Sequence, residues 1–484
     1  MSIRDHTQTD WRRYLSSSST GTLFSRRRSR TRHLALEFLE SRQLLSTTPP
    51  ITEYPTPSVP PQPTDVVSLD GKLWFTVFGN AIGSLDPTTS PPTINSYSQG
   101  LPGSSGPESI TVGPDGQGHQ VIWFTELIAG QIGTLDPTNP KQGIVNYGTT
   151  QGMLANAEPY GITTGPDGQG HQVIWFTDVK NNALGELNPA TGTIQEFPVT
   201  TPQHPLIGFT TFDSVITAGP GGKLYFTEAQ FGSGSSITAS GIGIYDPSTQ
   251  TWSQVTLPSG SNQEPFGLTV GPDGNIWFSE GIANSGGTGF QSSGLGILSL
   301  SSSPPTLSEP AGLSVSGTSA PYQIVTGPDD NIWFTLPSAG QIGEVQVKTN
   351  PANDTISTFP IPSSTQVPTP DPSGIMTGPD GNVWFADASG AVGRVTLDTK
   401  LVITTQPPAT VTPGSPFGLT AKVEYSDTNA VDTAYTGNVS IALTIPASNT
   451  LGGTTTVPVT ASVATFTTLT LANPGTGFTR RPAA

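Results

Sequence analysis

Gly161-Ile162-Thr163-Thr164, Val173-Ile174-Trp175-Phe176-Thr177, Ala183-Leu184-Gly185-Glu186-Leu187 and Thr193-Ile194-Gln195-Glu196-Phe197 are four short runs of β-branched and apolar residues packed into residues 161–197. Each is too short for a helix and is bounded by turn formers, so each reads as a strand. Between the first two stands Gly165-Pro166-Asp167-Gly168. There Pro sets φ for the first turn position and the last Gly supplies the positive φ that a tight hairpin needs. The stretch predicts a four-stranded antiparallel sheet.

That unit recurs. An aromatic-Phe pair appears at Trp74-Phe75, Trp123-Phe124, Trp175-Phe176, Tyr225-Phe226, Trp277-Phe278, Trp333-Phe334 and Trp384-Phe385, at gaps of 49, 52, 50, 52, 56 and 51 residues. The Gly-Pro-Asp-Gly turn returns at 113–116, 271–274 and 378–381. Four strands per unit, repeated seven times, predict an all-β fold, a seven-bladed β-propeller. The unit ends as Ile194-Gln195-Glu196-Phe197-Pro198 and again as Ile356-Ser357-Thr358-Phe359-Pro360. The same pattern stands alone in front of the first unit as Ile51-Thr52-Glu53-Tyr54-Pro55, while the last unit lacks a fourth strand. Residues 51–55 are therefore expected to pair with 391–397, closing the ring and hiding two sheet edges.

Residues 401–484 follow another rule. Phe417, Leu419, Ala421, Val423 and Tyr425 alternate with polar residues, as do Val439, Ile441, Leu443 and Ile445. Half-buried strands of this kind predict an immunoglobulin-like sandwich. It is expected to be partial, because Arg480-Arg481-Pro482-Ala483-Ala484 stands where a final strand should follow. The chain thus divides into a basic leader (1–48), a propeller (49–400) and the sandwich (401–484).

Composition agrees. Of 484 residues, 56 are Gly and 47 Pro, charged residues are only 11%, and Cys is absent. Turn formers in that number disfavour helices. The lack of Cys excludes disulfides, Fe–S clusters, Cys-ligated zinc and thiol nucleophiles. No apolar run is long enough for a membrane-spanning helix. Nine Arg against four acids give residues 1–48 a charge of +5, and the remainder carries 10 basic and 31 acidic residues, −21. A body so acidic repels phosphates, so no nucleic-acid partner is expected.

Two resemblances add to this. Leu36-Glu37-Phe38-Leu39-Glu40-Ser41-Arg42-Gln43-Leu44-Leu45-Ser46, behind the basic stretch Arg26 to Arg32, resembles the leader of large exported or surface-attached bacterial proteins. It implies an extracellular or cell-surface location. The units, with Thr163-Thr164-Gly165-Pro166-Asp167-Gly168, Trp123-Phe124-Thr125-Glu126 and Ile132-Gly133-Thr134-Leu135-Asp136-Pro137, resemble the repeat of the virginiamycin B lyase (streptogramin lyase) family over roughly residues 51–400. That resemblance implies a Mg²⁺-dependent carbon–oxygen lyase, which opens the ester of streptogramin B-type cyclic depsipeptides by elimination. The family's base is a His in Pro-His-Gly, with a Glu fourteen residues later at the end of Trp-Phe-Thr-Glu.

No unit of this chain has that His. The place holds Glu108, Tyr160, Ser214, Phe266, Tyr322 and Ser373 in the second to seventh units, and Phe and Tyr are not bases near neutral pH. His119 and His171 sit in identical Gln-Gly-His-Gln insertions at turn tips on the opposite face. His204, in the 199–214 loop, is left as the one candidate catalytic His, with Glu228 or Glu280 as its acidic partner. The acids ending the second strands, Glu126, Asp178, Glu228, Glu280 and Asp387, are expected to ring the propeller mouth and to suit Mg²⁺ or a cationic ligand. Tyr160, Phe266 and Tyr322 are expected to stack against a ring-bearing ligand there. Gly/Ser-rich loops at 229–241 and 281–294 would overhang that face. Two functions follow: a monomeric module binding a small molecule or protein at its mouth, or a lyase using His204.

Overall fold

The computed structural model describes residues 36–38, 49–57, 62–199, 215–231, 237–257, 263–283, 290–315, 319–348, 353–408, 411–426, 428–443 and 450–472. Seven four-stranded antiparallel units, the fifth with one extra short strand, fill residues 51–395. We number these blades 1 to 7 and call their strands inner, second, third and outer. Each inner strand lies against the inner strand of the next blade, and Pro372–Thr377 of blade 7 returns to Pro63–Leu69 of blade 1. Ile51–Pro55 is the outer strand of blade 7, with Ile51 opposite Val395 and Tyr54 opposite Val392. The ring is closed by the segment that its fourth-strand pattern marked.

One repeated contact explains the sequence repeat. The Phe of each aromatic-Phe pair lies flat over a glycine of the third strand, in the Ile-Gly motif. A Cβ on Gly83, Gly133, Gly185, Gly243, Gly296, Gly343 or Gly393 would stand only 1.9–2.2 Å from the ring of Phe75, Phe124, Phe176, Phe226, Phe278, Phe334 or Phe385. Glycine is required there by close approach. The Trp of the pair faces the neighbouring blade and is buried, with Trp175 packed against Phe197 and Tyr245.

In blades 2, 3, 5, 6 and 7 the turn holds the Trp by its indole N–H, whereas that of Trp74 in blade 1 is buried without a partner. In blades 5, 6 and 7 the donor reaches the turn carboxylate: Trp277 to Asp273 at 3.0 Å, Trp333 to Asp329 at 3.1 Å and Trp384 to Asp380 at 2.8 Å. The four-residue insertions of blades 2 and 3 carry that Asp outward. Trp123 and Trp175 then donate to the carbonyls of Pro114 and Pro166, both at 3.1 Å. Freed from the indole, Asp115 and Asp167 meet His119 and His171 Nδ1 at 2.8 and 2.7 Å.

Residues 399–471 form a second β-unit with its own core of Phe417, Leu419, Val423, Ile441, Phe466 and Leu469. Phe417–Tyr425 alternates buried and half-buried residues along its whole length. Tyr425 Oη donates to the carbonyl of Gly381, in the turn of blade 7, at 2.9 Å. Leu36–Phe38 pairs antiparallel with Asn438–Leu443 at the edge of this sheet. Among the described residues no helix is long and apolar enough to cross a membrane.

Candidate functional site

In every blade the second strand runs from the turn face to the face on which the inner strand begins. The register fixes this: Pro107 is opposite Glu126, Pro159 opposite Asp178, Pro265 opposite Glu280 and Pro372 opposite Asp387. We call that face the mouth. Its inner-strand positions hold Thr64, Glu108, Tyr160, Phe266, Tyr322 and Ser373; His204 and Ser214 lie outside the described residues.

The Thr or Ser of Trp-Phe-Thr and Trp-Phe-Ser is the joint that places these residues. Thr76 Oγ1 donates to the carbonyl of Glu108 at 2.6 Å, Thr125 to that of Tyr160 at 2.8 Å, and Thr335 to that of Ser373 at 2.8 Å. Ser279 Oγ donates likewise to the carbonyl of Tyr322. Each of these hydroxyls also accepts a backbone N–H of its own inner strand, from Asp65, Ser109, Gln323 and Gly267. One hydroxyl therefore ties two blades together and fixes the backbone of the residue that enters the mouth. A hydroxyl has one donor and two acceptor sites, so the arrangement fits its capacity.

Glu108, Tyr160, Phe266 and Tyr322, from blades 2, 3, 5 and 6, meet at the centre. Tyr160 Oη donates to Glu108 Oε1 at 3.1 Å, and it lies 3.5 Å from Tyr322 Oη. Phe266 packs on Tyr322 with ring centroids 6.3 Å apart and planes at 50°. The three aromatic residues expected at the mouth are thus one cluster, and Glu108 is its acid. Asp65 adds a contact that sequence reading overlooked. Its carboxylate accepts N–H of Val66 at 2.8 Å and of Ile110 at 3.1 Å, bridging blades 1 and 2. Burial outweighs those bonds and raises its pKa to about 6.

The five second-strand acids do not form the expected ring. Glu126, Asp178, Glu228 and Asp387 are fully buried and Glu280 nearly so. Each shares a face with the Phe two residues before it, so it lies on the sheet near the third-strand glycine. A Cβ on Gly133 would be 2.8 Å from Glu126 Oε1, and one on Gly243 2.9 Å from Glu228 Cδ. The space left by the glycine admits a polar partner, in several blades from the outer strand. Gln254 donates to Glu228, while in blade 5 Gln263 donates to Glu280. In blades 3 and 7 the partner is a second carboxyl, Glu196 opposite Gly185 and Glu53 opposite Gly393.

Burial and the neighbouring Asp387 push Glu53 up to about 8; burial, with Asp178 beside it, brings Glu196 to about 7. Burial is also the leading cause for Glu280, at about 8, and the one cause for Glu126, at about 7. The acids sit in separate blades. Among the described residues no three His, Asp or Glu side chains gather into a group able to hold a metal ion. The five second-strand acids therefore make no shared cation site among the described residues.

The expected overhanging loops are largely strand. The second and third strands of blade 4 stay paired out to Phe231 and Ile237, and those of blade 5 out to Ala283 and Phe290. Gly and Ser weaken a strand without forbidding its backbone ladder. Both hairpins therefore rise from the mouth face beyond the other blades.

With this geometry in view, the likeness to known proteins has a definite meaning. Residues 49–288 match the model of the virginiamycin B lyase family. The propeller resembles virginiamycin B lyase. A catalytically inactive virginiamycin B lyase from Staphylococcus aureus, solved with quinupristin, is 26% identical with a TM-score of 0.54, covering 72% of this chain and 99% of its own. A streptogramin B lyase structure is 27% identical with a TM-score of 0.51, covering 72% of this chain and 97% of its own. No curated protein matches the sequence. Where the resemblance implies a Pro-His-Gly, this chain has Pro265-Phe266-Gly267, and Phe266 is buried against Tyr322.

Proposed function

We propose that this propeller is a binding module of virginiamycin B lyase type, which holds a ring-bearing ligand on Tyr160 and Tyr322, with the buried Phe266 backing Tyr322. The observation carrying this reading is the convergence of those three rings, with Glu108, at the centre of the mouth. Aromatic side chains supply large contact area at small entropic cost, and their backbones are fixed by the Thr and Ser joints. The leader-like motif and the C-terminal β-unit, taken as a partial immunoglobulin-like module, support an exported or cell-surface setting for a monomer.

A second reading keeps the lyase chemistry, with His204 as base, Glu228 or Glu280 as acid and Mg²⁺ from solution. The sequence identity to streptogramin-opening enzymes favours it; the burial of Glu228 and Glu280 within their own blades counts against it. One experiment separates the two. The full chain is titrated with quinupristin, with and without Mg²⁺, and the ligand's mass is followed. Binding that weakens in Tyr160→Ala and Tyr322→Ala, with quinupristin intact, is the expected result. A ring-opened product that vanishes in His204→Ala would replace the binding module with the enzyme.

A further inference from the structure

The basic residues of the ring are unevenly distributed between its two faces. Residues 49–400 contain Lys72, Lys141, Lys180, Lys223, Lys348, Arg394 and Lys400. Lys72 and Lys223 begin second strands at the turn face, Lys141 and Lys348 lie in third-to-outer connections on that same face, and Arg394 pairs with Asp380 of the blade 7 turn at 3.5 Å. Lys400 belongs to the first strand of the C-terminal unit. Lys180 alone is in a mouth-side connection, and its Nζ is 3.2 Å from Glu158. The mouth-side segments of the described chain carry Glu108, Glu158, Glu264 and Asp371 against that one Lys. A field of this sign draws cations and repels anions.

At the centre of the mouth Glu108 is a positioned carboxylate rather than a loosely solvated one. Its own carbonyl accepts from Thr76 and Thr64 hydroxyls at 2.6 and 2.9 Å, which fixes the backbone beneath it. Its Oε1 takes the Tyr160 hydroxyl at 3.1 Å, so the carboxylate borders the ring cluster. Aromatic faces attract cations through their quadrupole, and the attraction grows when the site is partly dehydrated. A carboxylate beside three rings adds a full charge of the same preference.

We propose that the mouth selects ligands carrying an organic ammonium on or beside a ring, with Tyr160 and Tyr322 as the surface, the buried Phe266 as the support behind Tyr322, and Glu108 as the counter-charge. The inference rests on the ring-binding reading above and adds the charge of the ligand to it. Glu108 is then a specificity-determining residue, and Tyr160 is the positioning residue that holds its carboxylate.

The test compares benzyltrimethylammonium with its uncharged carbon isostere neopentylbenzene, titrated against the full chain by ligand-observed NMR, with quinupristin as a third ligand. The ammonium is expected to bind at least about tenfold more tightly than the isostere in low salt. That margin should shrink as salt is raised, because a partly exposed charge pair is screened. Glu108→Gln keeps an acceptor for Tyr160 and should remove most of the margin while leaving the isostere unchanged. Glu108→Asp keeps the charge and should retain part of it, which guards against a folding defect in either variant. Equal binding of the two probes, or a margin untouched by Glu108→Gln, overturns the charge preference while ring binding stands. Failure of both probes with quinupristin still bound also overturns it. If quinupristin fails as well, the ring-binding reading falls with it.

Discussion

The two ends of the second strand obey different rules. At the turn end every blade repeats the same device: an aromatic facing the next blade, a Phe over a glycine and, in blades 5 to 7, a turn carboxylate under the indole. At the mouth end the corresponding residues are Val77, Glu126, Asp178, Glu228, Glu280, Leu336 and Asp387, and the inner strand presents a different side chain in almost every blade. Between them sits the hydroxyl of Trp-Phe-Thr or Trp-Phe-Ser, present in all blades but the seventh, where Ala386 replaces it. What repeats builds the ring; what varies is free to define a site, because no neighbouring blade depends on its identity. A fold that hosts several functions is expected to separate the two in this way.

The division is easiest to break at the glycines. In Gly185→Val a Cβ would stand 1.9 Å from Phe176 Cζ. The ring cannot move without opening the blade, so a loss of more than about 3 kcal/mol in urea unfolding is expected. Tyr160→Ala, at the mouth, should cost clearly less. If the two variants lose equal stability, the mouth is part of the scaffold and the contrast fails.

Thr125→Val probes the joint between the two ends. It removes the donor to the Tyr160 carbonyl and the acceptor of the Ser109 N–H. Leaving two partly buried backbone groups unpaired should cost about 1–3 kcal/mol. Because Tyr160 is the residue displaced, quinupristin binding should weaken beyond the stability loss. An unchanged affinity would mean that the joint only staples blades together.

A pH scan reads the buried acids. Glu53 and Glu280 are raised to about 8, Glu126 and Glu196 to about 7, and Asp65 to about 6, each from an ordinary carboxylate value. Between that ordinary value and the raised one, the unfolded chain has released the proton that the folded chain retains. Stability must therefore fall as pH rises through this window, by at most about 1.4 kcal/mol per pH unit for one group. We expect the melting temperature to be highest near pH 5 and to decline toward pH 8. In Glu53→Gln, whose change lies on the closing strand beside Asp387, the decline should be shallower. A melting temperature that climbs from pH 5 to 8 would show these carboxyls ionised in the folded ring.

The ring and its closure were legible because strand period, turn residues and the 50-residue repeat all pointed one way. The rings of the mouth were legible too, since Tyr160, Phe266 and Tyr322 occupy one repeat position. The fate of the acids was missed although a signal existed. Glu126 is two residues from Phe124, and strand alternation puts both on one face, so a Phe buried over glycine implies a buried acid. Glu108 holds that same repeat position in the blade next to Tyr160, so their nearness was legible as well; the hydrogen bond between them depends on side-chain direction and was not. The hairpins of blades 4 and 5 look like loops in the sequence because Gly and Ser describe side chains, whereas the ladder that extends them is made by the backbone.

The smallest effect belongs to the turn tips, and it sharpens the comparison from the other side. His119 and His171 side chains are 74% and 70% exposed, and each touches an Asp of its own turn. The turn does not depend on the imidazole: Asp115 Oδ1 also accepts N–H from Gln117 at 2.6 Å and from His119 at 3.0 Å, and Asp167 does the same in blade 3. Those backbone bonds survive substitution, and an exposed side-chain contact of this kind contributes little. His119→Ser and His171→Ser together should change stability by less than about 0.5 kcal/mol each and leave quinupristin binding as it was. A larger loss would mean that the inserted turns support blades 2 and 3 through their side chains. The repeat at the turn end would then be less uniform than its Trp and Phe suggest, and the line between scaffold and site would run through those two blades instead of along every second strand.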